Sequence, residues 1–100
     1  MNGNFSRLSM NGGGLKAEGW LAWAAGERSA TLSITVTQGT TSATKTIQVW
    51  SDKSAWDTTI ENVVFQEDVV ASGQAGGTVT YTDDSTAAVT PWTSAPLRVE

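Results

Sequence analysis

The chain has 100 residues, the length of one domain with a single core, and six basic against ten acidic side chains leave a net charge of −4. It contains no Cys and no His, which excludes a disulfide framework, a Cys/His zinc site, a histidine general base and a Ser–His–Asp triad. Fifteen Thr and nine Val stand against five Leu and three Ile, a bias toward strands, because β-branched side chains lose χ1 freedom in helices and pack well on a pleat.

Residues 1–14 read as a flexible N-terminal arm or an edge strand ending in a joint, Gly12-Gly13-Gly14, and residues 15–100 as a single domain. From Leu15 onward the chain alternates with period two between turn signals. Leu15, Ala17, Leu21 and Trp23 share one face, with Lys16, Glu18 and Trp20 on the other. After a turn at Ala24–Arg28, the segment Ser29–Thr37 points Ala30, Leu32, Ile34 and Val36 inward and Thr31, Ser33, Thr35 and Thr37 outward. That segment is β-prone and uncharged, so a central place in its sheet is expected; as an edge it would invite pairing with another chain. Gln38–Ser42 has hairpin length, and Ala43–Trp50 returns with Ile47 and Val49 inside and Thr44, Thr46, Gln48 and Trp50 outside.

Ser51–Ser54 reads as a loop and Trp56–Ile60 as a strand that turns Trp56 and Ile60 inward. Val63–Ala71 reads as one strand bulged at Gln66-Glu67-Asp68, or as two short strands with Glu67 and Asp68 as charged breakers, and Gly73–Gly77 breaks the pattern. Val79 and Tyr81 then alternate inward before a turn at Asp83-Asp84-Ser85. A last strand from Ala87-Ala88-Val89 is interrupted at Pro91 and resumes at Leu97 and Val99. Neither Pro91 nor Pro96 can donate a ladder hydrogen bond, which places this segment at an edge or a bulge.

Six to eight short strands joined by hairpin-length turns point to a two-sheet sandwich, with a small β-barrel as the alternative. The inward set is Leu15, Leu21, Trp23, Leu32, Ile34, Val36, Ile47, Val49, Trp56, Ile60, Val79, Tyr81, Val89, Leu97 and Val99. The stretch Gly26-Glu-Arg-Ser-Ala-Thr-Leu-Ser-Ile-Thr-Val-Thr-Gln-Gly39 resembles the turn and strand of bacterial immunoglobulin-like and Calx-β modules. That resemblance implies an immunoglobulin-like antiparallel β-sandwich of about seven short strands with a binding or structural role. Calx-β modules hold calcium in clustered acidic loops, a cluster not found here, and no site residue is carried over.

The aromatic surplus is the main functional signal. Strand parity turns Trp20, Trp50 and Trp92 outward, although each has a plain alternative as a core ring displaced in parity by a bulge. An exposed indole is tolerated chiefly where something covers it. A protein surface would do so, since Trp is enriched at interface hot spots; a sugar ring would also, stacking its C–H face on the indole beside Thr and Gln hydroxyls and amides. Ten carboxylates are the only acid–base groups available, and glycoside hydrolysis needs two of them facing across a cleft; their turn and outward positions read as solvated charge. Glu67-Asp68 and Asp83-Asp84-Ser85 lack the spacing of a calcium loop. The glycine clusters at 12–14 and 73–77 lack the Lys-Ser/Thr of a phosphate cradle. Asn4-Phe5-Ser6 fits a glycosylation sequon.

Arg7, Lys16, Arg28, Lys45, Lys53 and Arg98 are scattered singly, without the basic stripe that nucleic acid requires. No apolar run nears the ~18 residues that span a bilayer, and no secretory leader is visible. The expectation is a non-enzymatic binding or assembly module acting through Trp20, Trp50 and Trp92. It needs neither cofactor nor metal and takes a protein partner or a second copy, in a bacterial surface or secreted protein or a phage virion. A carbohydrate-binding module with a Trp platform is the alternative.

Overall fold

The computed structural model describes all 100 residues, Met1–Glu100. Eight strands follow one another: β1 (Asn2–Asn11), β2 (Gly14–Ala22), β3 (Glu27–Gln38), β4 (Thr41–Trp50), β5 (Ala55–Glu61), β6 (Val70–Tyr81), β7 (Thr86–Thr93) and β8 (Leu97–Arg98). A three-stranded antiparallel sheet has the order β1-β2-β5, and a larger one has the order β4-β3-β6-β7, with β8 beside the start of β6. The two sheets do not close into a barrel; the fold is an all-β sandwich. Strands one, two and five thus face strands four, three, six and seven across the core.

β3 lies between β4 and β6, the central position expected for it, and Ala30, Leu32, Ile34 and Val36 are fully enclosed between the sheets. The pleat alone produces this, since side chains two apart share a face. Leu15, Leu21, Val49, Trp56, Ile60, Val79, Val89 and Val99 join the same core. Trp23, Ile47, Tyr81 and Leu97 reach it only partly, at strand ends and on the edge strand β4. Trp23 donates its indole N–H to the Lys53 carbonyl at 2.8 Å, anchoring the β4–β5 connection.

The N-terminal segment, expected as an arm or an edge strand, is the edge strand β1, and its Phe5 and Leu8 are buried in the shared core. Gly12-Gly13-Gly14 is no flexible joint. Asn11 pairs with Gly14 across a two-residue hairpin, in which Gly12 takes φ 65°, a conformation L side chains resist. The β3–β4 hairpin repeats the device, with Gln38 paired to Thr41 and Gly39 at φ 58°.

Two further expectations are corrected. Residues 62–69 form a connection rather than one or two strands; Phe65 plugs the core while Val64 stays in solvent. Gln38 pins this connection, donating to the carbonyls of Gln66 (2.9 Å) and Val69 (3.2 Å) and accepting the Gln66 N–H (2.7 Å). Nor does Gly73–Gly77 break the chain, because all five residues lie within the twelve-residue strand β6. Glycine serves there because the strand is crowded. A Cβ on Gly73 would lie 2.6 Å from the Phe5 ring, and Gly3 and Gly19 stand in the same relation to Trp92 and Trp56. Three glycine backbones thus give room to a buried trio of rings, with Phe5 edge-on to Trp56 (5.0 Å, 87°) and Trp56 tilted against Trp92 (6.3 Å, 42°).

Candidate functional site

The three candidate indoles do not form one platform. Trp50 closes β4 on the outer face of the large sheet and is 54% exposed. Trp20 lies on the outer face of the small sheet, between Asn4 of β1 and Ala55 of β5, and is 42% exposed.

Trp92 is a correction: it points inward and is only 6% exposed. Gly77 pairs with Val89 and Ala75 with Trp92, so that Thr90 and Pro91 together oppose the single residue Gly76. This bulge inserts one extra residue into β7 and returns Trp92 to the same side as Val89. Pro91, which cannot donate to the ladder, sits within it.

The open side of the sandwich is where β4 and β5 run as neighbouring edges. There a groove of about 230 Å³ is lined by Ile47, Trp50, Lys53, Ala55, Trp56 and Asp57. Trp20 is not part of this groove; it lines a separate hollow with Asn4, Phe5, Ser94, Ala95 and Leu97, so the two exposed indoles serve different surfaces. Trp56 is 4% exposed and its indole N–H has no hydrogen-bond partner; the same holds for Trp92. One ammonium and one carboxylate line the groove, and no second carboxylate faces Asp57 across it. Its chemistry is therefore apolar contact with polar ends.

Charge is divided unevenly between the two outer faces. The small sheet carries Arg7, Lys16, Glu18 and Asp57, with Glu18 paired to Lys16 (3.4 Å) and Arg7 (3.7 Å). On the large sheet the outward residues of β3 and β4 are Ser, Thr and Gln up to Trp50. Thr35 and Thr44 share a hydrogen bond of 2.8 Å, and Thr31 donates to Gln48 at 3.2 Å.

Two carboxylates away from the groove have structural partners. Glu27, at the start of β3, is buried; its carboxylate pairs with the Met1 ammonium and accepts the Ala24 N–H at 2.6 Å. Asp83 accepts the Ser85 hydroxyl (2.6 Å) and the Ser85 N–H (3.0 Å) in the β6–β7 turn, and these bonds hold its carboxyl below the ordinary value of 3.8. No three His, Cys, Asp or Glu side chains gather as metal ligands, and no helix is long and apolar enough to cross a membrane.

Sequence parity located Trp20 and Trp50 but missed the groove, because the approach of β4 to β5 is a contact between sheets. One signal for it was available: Trp50 and Trp56 flank a single short connection, which brings two indoles to one end of the sandwich. Compared with known proteins, the chain matches no family model, no curated protein and no solved structure.

Proposed function

We propose that this domain is a non-enzymatic binding or assembly module whose contact surface is Trp50 and the groove beside it, and whose partner is a protein surface. The observation that supports this reading is a half-exposed indole at the rim of a groove containing Ile47 and Trp56. Covering the exposed half of an indole is worth about 2–3 kcal/mol, enough to make Trp50 the leading anchor of an interface.

A carbohydrate is the second reading, favoured by the uncharged hydroxyl and amide groups of Thr44, Thr46 and Gln48 on the same face as Trp50. Intrinsic fluorescence tests both. A blue shift on raising protein concentration or adding a protein partner, lost in Trp50→Ala, supports the protein contact. A shift on titration with neutral glycans, equally lost in that variant, supports the sugar. Emission that stays constant under all of these conditions overturns both readings.

A further inference from the structure

Four strands border the two sheets, and three of them are guarded against pairing with another chain. β1 carries the charge of Arg7 and is bonded near its end to the C-terminal segment, with Met10 N–H to the Glu100 carbonyl (2.8 Å) and Glu100 N–H to the Leu8 carbonyl (2.9 Å). β7 is bent by the Pro91 bulge. β5 carries the exposed carboxylates of Asp57 and Glu61. Bulges, proline and charge are the usual means of blunting an edge.

β4 has neither bulge nor proline, and its one charge is engaged elsewhere. Its ten residues contain no Pro, Asp or Glu, and its register with β3 runs unbroken from Trp50 to Thr41. Its single charge, Lys45, is turned aside to donate to the Thr59 carbonyl of β5 at 2.9 Å. Ser51 N–H bonds the Arg28 carbonyl, which fixes the alternation of the ladder. The odd-numbered residues of β4 therefore bond β3, and the N–H and C=O groups of Ser42, Thr44, Thr46 and Gln48 face outward.

We propose that β4 pairs antiparallel with β4 of a second copy of this chain, about a twofold axis at Thr46, joining the two large sheets into one. This rests on the reading of the Trp50 side as a contact surface and gives the partner as a second copy. A free strand edge is self-complementary under a twofold, because each outward N–H meets an outward C=O of the same sequence. Charge favours the same edge: each copy carries −4, and β4 brings no carboxylate to the junction whereas β5 brings two. The register follows from Lys45 and Trp50. An axis on Lys45 sets two ammoniums opposite each other, a destabilising pair. An axis on Thr44 leaves Gln48, Val49 and Trp50 beyond the end of the facing β4. An axis on Thr46 aligns residues 42–50 over their whole length, with Lys45 opposite Ile47 and Trp50 opposite Ser42.

The test combines sedimentation of the wild-type chain from micromolar to millimolar concentration with amide hydrogen exchange over the same range. A monomer–dimer equilibrium is expected, in which the amides of Ser42, Thr44, Thr46 and Gln48 slow as dimer forms. Thr46→Pro removes an outward N–H at the axis, a place where an edge strand tolerates proline, and is expected to weaken association at least tenfold. Thr59→Pro makes the matching change on the β5 edge and is expected to leave association unchanged. A chain monomeric throughout, or those four amides exchanging independently of concentration, overturns the inference, as does a dimer indifferent to Thr46→Pro. Should that variant not fold, wild-type exchange decides alone. A monomeric chain that binds a different protein through Trp50 overturns the edge pairing while leaving the contact surface in place.

Discussion

Gly73→Ala tests the account of the β6 glycines. The new Cβ would stand 2.6 Å from Cε2 and Cζ of Phe5 and 2.7 Å from Cε1, with no backbone atom among its nearest neighbours. Ordinary contact begins near 3.4 Å, so the ring must retreat by most of an ångström. Phe5 is buried and sits edge-on to Trp56, which blocks that retreat. Overpacking of this kind costs about 1–3 kcal/mol, and the smaller unfolded-state entropy of Ala offsets about 0.4–1 kcal/mol of it. With the ring blocked, a net loss of about 2 kcal/mol is expected, a fall in Tm of roughly 8–16 °C for a domain of this size. Urea and thermal unfolding measure it, and Phe5→Leu supplies the control. In the Phe5→Leu background the same glycine change should cost less than about 1 kcal/mol, a coupling within the range found for contacting residues. Full wild-type stability of Gly73→Ala, or an equal loss in both backgrounds, refutes the reasoning.

Trp92→Ala should destabilise by about 3–5 kcal/mol as a buried ring lost from the core, whereas Trp20→Ala should cost under about 1 kcal/mol; chemical denaturation separates them. Trp92→Phe should cost less than Trp92→Ala, because an aromatic ring still fills most of the site while the indole donor without a partner is removed. Ser94 is buried, and its hydroxyl accepts the Gly73 N–H at 2.8 Å, so Ser94→Ala should cost about 1–3 kcal/mol by orphaning that group, read from the urea midpoint at unchanged slope. Because the folded pKa of Asp83 is lowered, its bonds to Ser85 favour the folded state fully above 3.8, and that contribution fades as pH falls through the lowered value. The stability gap between wild type and Asp83→Asn should close over that acid interval, and a carboxyl that titrates in NMR at 3.8 or above would contradict it.

The clearest strands were legible because alternation along a strand is a property of the backbone. Ala30, Leu32, Ile34 and Val36 are enclosed, and Trp20 and Trp50 face out, as every-second-residue counting requires. Three of the failures involve a second strand. Trp92 followed parity until a bulge against Gly76 reversed it. The β6 glycines looked like a break because what crowds them lies on other strands, the Phe5 ring of β1 at Gly73 and the Thr31 carbonyl of β3 at Gly77. Phe5 and Leu8 looked peripheral because only pairing with β2 and the C-terminal segment seats them in the core.

Composition and periodicity by themselves determined that the chain is all-β, that β3 is central and which faces of β3 and β4 are apolar, since these depend on covalent geometry and on the cost of leaving an uncharged strand unpaired. Only the tertiary structure decided which indoles meet water, where the groove opens and which edge is left unguarded. Those depend on register and on the approach of one sheet to the other, and a single-residue shift between paired strands reverses a side chain without any change in the local sequence.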